Sequence, residues 1–187
     1  MLIGALGAIS IPGVAAAASK PSPAKKTHKK KKKGPTLQQK IATAVKNAER
    51  SPDLWATVNC CGTCTGVAGT DTVGIRGQMP GLGFTATLSM DISVDYWNYT
   101  TSTFQPTSAT SNIVLGKGTH GLHQKGVNFP IVPPAPGSQY LVRGSITFVW
   151  TIGNKVVGKV TRNTGHGYAN VGFSNPLGYT SGTCTLS

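Results

Sequence analysis

From Leu82 to Tyr96 every even position is apolar and every odd position is glycine, hydroxyl-bearing or acidic. Leu82, Phe84, Ala86, Leu88, Met90, Ile92, Val94 and Tyr96 alternate with Gly83, Thr85, Thr87, Ser89, Asp91, Ser93 and Asp95. Successive side chains of a strand point to opposite faces, so a period of two predicts a half-buried β-strand. Fifteen residues would reach about 50 Å at about 3.3 Å each, longer than most strands, so a bend or bulge is expected within it.

A second alternation runs from Tyr140 to Ile152. Tyr140, Val142, Ile146, Phe148, Trp150 and Ile152 share one face, and Arg143, Ser145, Thr147 and Thr151 share the other. Gly153-Asn154 and the run Lys155–Arg162 follow, which predicts a tight hairpin. Shorter candidate strands lie at 54–60, 72–76, 101–104, 112–115, 127–132 and 171–173. Glycine, proline and asparagine separate them, and no helical period appears after Leu54. The expected fold is all-β, an antiparallel Ig-like sandwich of about seven to nine strands over residues 51–187. Ahead of it, Leu37, Ile41, Val45 and Ala48 form a narrow apolar stripe at helical spacing. With Thr36 as N-cap and Pro52 as stop, a short amphipathic helix is expected within residues 36–50.

The chain begins with an apolar run from Met1 to Val14, broken by Ser10, and then Ala15–Ala18. The run is shorter than the roughly 20 residues a membrane-spanning helix needs, and the alanines suit a cleavage site. Residues 1–18 are therefore expected to be a signal peptide, although no basic residue precedes the run. Residues 19–35 carry Lys25, Lys26, Lys29, Lys30, Lys31, Lys32 and Lys33 between helix-breaking Pro21, Pro23, Gly34 and Pro35. Adjacent lysines repel, so a disordered basic arm is expected.

The formal charge of +13 belongs mainly to this end of the chain. Residues 20–50 hold eleven basic residues against Glu49, and residues 51–187 hold seven basic and four acidic ones. The basicity therefore describes an arm more than a folded face. Without interleaved aromatic residues the arm lacks base-stacking groups, which argues against nucleic acid as a partner. The lysines suit an anionic cell-envelope polymer or lipid surface, or serve as a solvated spacer.

Pro136-Gly137-Ser138-x-Tyr140-x-Val142-Arg143 resembles the corner before strand F of fibronectin-III and immunoglobulin-like domains. There a tyrosine hydroxyl bonds back to the backbone of the turn. Ser51–Asn59, Val73–Gly81, Gly144–Trp150 and Ser181–Cys184 together resemble a group of uncharacterised secreted actinobacterial proteins. That resemblance covers most of residues 40–187 and implies an exported Ig-like domain, with no activity or ligand attached.

Cys60, Cys61, Cys64 and Cys184 are the four cysteines. In an exported chain they suggest two disulfides, one of which must reach Cys184. Cys61–Cys184 with Cys60–Cys64 is the favoured pairing, and other pairings stay open. A zinc site is the sharper alternative, but no second pair matches the knuckle spacing of Cys61 and Cys64.

No nucleophile elbow or phosphate-cradling loop occurs. Asp91 and Asp95 share the polar face of the long strand about 13 Å apart, too far for paired glycosidase carboxylates, and read as solvated acids. His120, His123 and His166 lie in glycine-rich turns without a third ligand nearby. Trp97, Tyr99 and Phe104 cluster past the long strand, as core capping or as an aromatic platform. No catalytic residue, metal or cofactor is expected. The leading reading is a secreted or cell-surface, non-catalytic binding or structural module. Its alternative is a secreted hydrolase assembled from Asp91, His120 or His123 and a hydroxyl.

Overall fold

One helix and eight strands make up the computed structural model, which describes residues 34–64 and 70–187. The expected signal peptide and the lysines of the arm lie outside the described residues. The helix α1 (Leu37–Glu49) precedes β1 (Trp55–Gly62), β2 (Asp71–Pro80), β3 (Ala86–Asn98), β4 (Thr103–Gly118) and β5 (Leu122–Ile131). Then come β6 (Tyr140–Ile152), β7 (Lys155–Asn163) and β8 (Cys184–Leu186). A three-stranded sheet of order β1-β2-β5 faces a sheet of order β4-β3-β6-β7, with β8 also paired to β6. All named strand pairs are antiparallel. The expected all-β, Ig-like sandwich is the fold observed.

The period of two decides what is inside. Leu88, Met90, Ile92 and Val94 of β3 meet Ile146, Phe148 and Trp150 of β6, all essentially without exposure. Val58 of β1 and Val73, Ile75 and Met79 of β2 complete the core from the other sheet. Two glycines set how closely the sheets approach. A Cβ on Gly77 of β2 would lie 2.8 Å from Ile146 Cδ1, and one on Gly144 of β6 would lie 2.7 Å from Ile75 Cδ1. The large side chain opposite each glycine fills the space that its missing Cβ leaves.

The long alternation is realised differently at its two ends. Pairing starts only at Ala86, because the chain turns through Gly81 and Gly83, the latter at φ 77°. Leu82 is buried nonetheless and Phe84 half-buried, so the apolar period outlasts the ladder. The expected irregularity lies in the pairing with β4. Register shifts occur between Leu88 and Ser89 and between Ser93 and Asp95, whereas the pairing of β3 with β6 is continuous. Edge strand β4 absorbs the extra residues, where Pro106 is tolerated.

The candidate strands at 101–104 and 112–115 are one strand of 16 residues. Its inward-leaning positions include Thr107, Ala109 and Ser111, too small and polar to register as an apolar stripe. The segment 171–173 is not a strand. Tyr140 opens β6 and is 45% exposed, and its hydroxyl has no hydrogen-bond partner among the described residues. The tyrosine corner suggested by the local resemblance is therefore not formed.

Helix α1 starts with a capping box. Thr36 accepts from the Gln39 N–H and the Gln39 side chain accepts from the Thr36 N–H. Val45 and Ala48 are buried and Ile41 packs half-buried against the core, but Leu37 is 65% exposed, so the expected stripe docks through all but its first residue. Arg162 of β7 donates to the Glu49 carbonyl at 2.6 Å, placing a cation on the helix C-terminus.

Candidate binding face

The polar face of the three-stranded sheet carries a constructed surface. Strand alternation sends Trp55, Thr57 and Asn59 of β1 outward, opposite the core-facing Ala56 and Val58. Register aligns Trp55, Gln78 and Gln124 in one row and Thr57, Arg76 and Gly126 in the next. At Asn59 the pairing shifts by one residue, so Asn59 and Cys60 both oppose Gly74. This β-bulge re-aims the Asn59 side chain.

The outer edge of β1 would otherwise expose unpaired backbone. Residues 164–183 cover it. The Gly165 N–H donates to Ala56 O at 2.8 Å, the Asn175 N–H to Asn59 O at 2.8 Å, and Ser181 exchanges bonds with Val58 in both directions. Thr57 Oγ donates to Gly165 O at 2.9 Å, and Tyr168 stacks on buried Trp55 with ring centroids 5.0 Å apart. These bonds explain why polar Thr57 and Asn59 are buried without cost from missing partners.

The covering segment and the sheet enclose two hollows. One, of about 530 Å³, is lined by Asn59, Arg76, Gln124, Lys125, Gly126, Val127, Asn128 and Phe173. The other, of about 600 Å³, is lined by Asp53, Trp55, Gln78, Gln124, Tyr168 and Asn170 among others. Gln124 lines both. Its amide donates to Gln78 Oε1 at 2.8 Å and to Asn170 O at 3.0 Å, and accepts from the Gly172 N–H at 3.2 Å. Gln124 thus ties the covering segment to the sheet. Burial pulls the Arg76 guanidinium below its usual pKa.

No local pattern in the sequence announces this face. Its one trace is the polar side of β2, where Thr72, Gly74, Arg76 and Gln78 alternate with Val73, Ile75, Gly77 and Met79. A central arginine between Gly74 and Gln78, instead of the Thr and Ser of other strands, marks a special surface.

The residues singled out beforehand fall elsewhere. The cysteines form Cys60–Cys64 and Cys61–Cys184, the favoured pairing, so no free thiol serves zinc. Trp97 and Phe104 meet edge to face with centroids 5.0 Å apart. Arg143 lies over the Phe104 ring at 4.2 Å and is paired with Asp95 at 3.1 Å. One face of Phe104 is therefore taken by a cation, and Tyr99, 60% exposed in the hairpin turn, makes no ring contact with Trp97 or Phe104. Asp95 is a correction: the expected solvated acid is 8% exposed and ion-paired, because Arg143 sits directly across from it on β6.

Asp91 is exposed and accepts from the Asn112 amide. His123 contacts the His120 carbonyl at 3.3 Å. His120 lies in the turn beyond the Ala86–Gly118 pair, whereas His123, expected in a turn, is within β5 opposite Met79. Five residues of strand, about 17 Å, separate Asp91 from that end of β3, so the proposed hydrolytic trio is not brought together. Among the described residues no group of three His, Cys, Asp or Glu is placed to hold a metal, and no helix is long and apolar enough to cross a membrane.

No protein-family description and no curated protein matches the sequence. Among solved structures, the chain is similar to "putative beta-galactosidase from bacteroides fragilis", with a TM-score of 0.33 and 14% identity over 62% of this chain. The match spans 16% of that protein's length.

Proposed function

We propose that the chain is a non-catalytic binding module whose ligand face is the outer side of the β1-β2-β5 sheet, and that the ligand is a saccharide. The carrying observation is the Gln124 strut between two hollows walled by residues 167–173. Of the amides on this face, Asn59 and Gln78 are buried and bonded within the fold and Gln124 is tied to the covering segment, so the exposed Asn128 amide in the lining is the one left to donate and accept at once. Ligand hydroxyls do the same, so an amide matches them without a charge penalty. Tyr168 and Phe173 add aromatic surface for the apolar faces of sugar rings. A few placed polar groups over preformed hollows are the usual makings of a ligand site.

Affinity electrophoresis through a panel of soluble polysaccharides tests this. At least one polysaccharide should retard the protein, and Gln124→Ala should weaken that retardation about tenfold, about 1.4 kcal/mol. Full retardation of Gln124→Ala would place the ligand elsewhere.

The reading includes export and the basic arm. We infer a cell-surface location from the signal-like start and two disulfides, and association of Lys25–Lys33 with anionic envelope. Its support is the concentration of charge in residues 20–50. Deleting residues 20–35 should reduce retention on isolated envelope at low salt; equal retention contradicts the arm's role.

A further inference from the structure

We propose that the hollow around Arg76 binds a carboxylate, and that the ligand is an acidic, uronic-acid-type saccharide. This rests on the saccharide reading above and specifies its chemistry.

Arg76 is a cation without a counterion. The chain has five acidic residues, all of them among the described ones. Asp95 is committed to Arg143, in the ion pair found among the described residues. Asp91 is engaged by Asn112 on the other sheet, and Asp53 lies in the turn with Ser51. Neither Glu49 nor Asp71 lines the hollow. Arg76 Nε is buried and has no hydrogen-bond partner among the described residues. A buried donor left unsatisfied is costly, more so when charged, and folds retain few of them without a role.

The surroundings keep the guanidinium available. The Phe173 ring lies over it at 5.0 Å, and the terminal guanidinium nitrogens make no hydrogen bond among the described residues. Phe173 is 89% exposed and held at φ 54°, in the left-handed region that bulky residues avoid. Asn59 donates to the Phe173 carbonyl at 2.8 Å, and the Asn175 N–H bonds to the Asn59 carbonyl. The same bulge that re-aims Asn59 therefore anchors the aromatic roof.

Two glycines let neighbouring groups close in beside the hollow. A Cβ on Gly126 would lie 2.5 Å from the Ile75 carbonyl, and one on Gly74 would lie 2.8 Å from both the Asn59 and Asn128 side-chain oxygens. No acid lines the hollow. A guanidinium fork fits a carboxylate in two parallel bonds. The neutral Asn128 amide beside it suits hydroxyls, which separates this site from one built for free phosphate. One anionic group on a hydroxyl-rich ring is the ligand these groups describe.

The test titrates the full chain with a galacturonic acid oligomer, with its carboxyl-reduced galactose counterpart and with inorganic phosphate. The uronate should bind at least tenfold more tightly than the neutral oligomer or phosphate. Arg76→Gln and Arg76→Lys should each lose at least tenfold in uronate affinity, since the lysine keeps charge but loses the fork. Neither should lower the unfolding midpoint, because Arg76 makes no structural hydrogen bond. Should Arg76→Gln fail to fold, Asn128→Ala in the lining should still weaken uronate binding several-fold. Equal binding of uronate and neutral oligomer overturns the carboxylate site and leaves the saccharide reading standing. Phosphate binding as tight as uronate overturns the acidic-saccharide assignment. Binding by none of the three at millimolar concentration overturns it as well, and the polysaccharide panel then decides the broader reading separately.

Discussion

Replacing Cys61 and Cys184 together by alanine should lower unfolding free energy by about 5 kcal/mol, whereas replacing Cys60 and Cys64 should cost about 2 kcal/mol. The difference follows from loop length. The first bridge spans a sequence separation of 123 and the second a separation of 4. Cross-linking distant residues removes more freedom from the unfolded chain. The long bridge also joins β1 of one sheet to β8 of the other, and β8 is only three residues long. Without it, the last strand and the segment covering β1 lose their anchor, so the hollows should open as stability falls. Urea unfolding of the two double variants checks the order; equal losses would contradict the chain-entropy account.

Trp150→Ala should cost about 3–5 kcal/mol, the range for truncating a large buried aromatic. Trp150 is fully buried and donates its indole N–H to the Pro80 carbonyl at 2.9 Å. It also carries the helix. A Cβ on Gly158 would lie 2.6 Å from Val45 Cγ1 and 3.2 Å from Trp150 Cε3, so helix α1 seats where β7 has no side chain. Trp150→Phe should cost less, about 1–3 kcal/mol, because it fills much of the space but leaves the Pro80 carbonyl unpaired. Hydrogen exchange at residues 44–48 should accelerate in the alanine variant. Unchanged protection there would separate helix docking from this tryptophan.

The sandwich was legible because burial in a sheet follows period two, and Leu88–Val94 and Ile146–Trp150 hold that period without exception. Where the period weakened, so did the reading. Strand β4 was split because Thr107, Ala109 and Ser111 lean inward without being strongly apolar. The strand expected at 171–173 is part of a covering segment whose bonds go to β1 across more than a hundred residues, a partnership invisible in local pattern. Asp95 read as solvent-facing, since nothing local reveals that register sets it against Arg143. The cysteine count required a bridge to Cys184 but left its partner open among three, and the fold selects Cys61 because β1 and β8 bring those two together. The candidate binding face was not legible: it needs the β1-β2-β5 register, the bulge at Asn59 and the covering segment together. Only Arg76, the one charged residue on the polar side of β2 beside Gln78, left a trace in the sequence.

The central claim is a location, the outer face of the three-stranded sheet. Backbone amide NMR shifts during titration with the galacturonic acid and galactose oligomers test it most directly. The account predicts the largest shifts at Asn59, Arg76, Gln124–Asn128 and residues 168–173, with the β4-β3-β6-β7 sheet unmoved. Shifts centred on Trp97, Tyr99 and Phe104, or on the outer face of that other sheet, would contradict it.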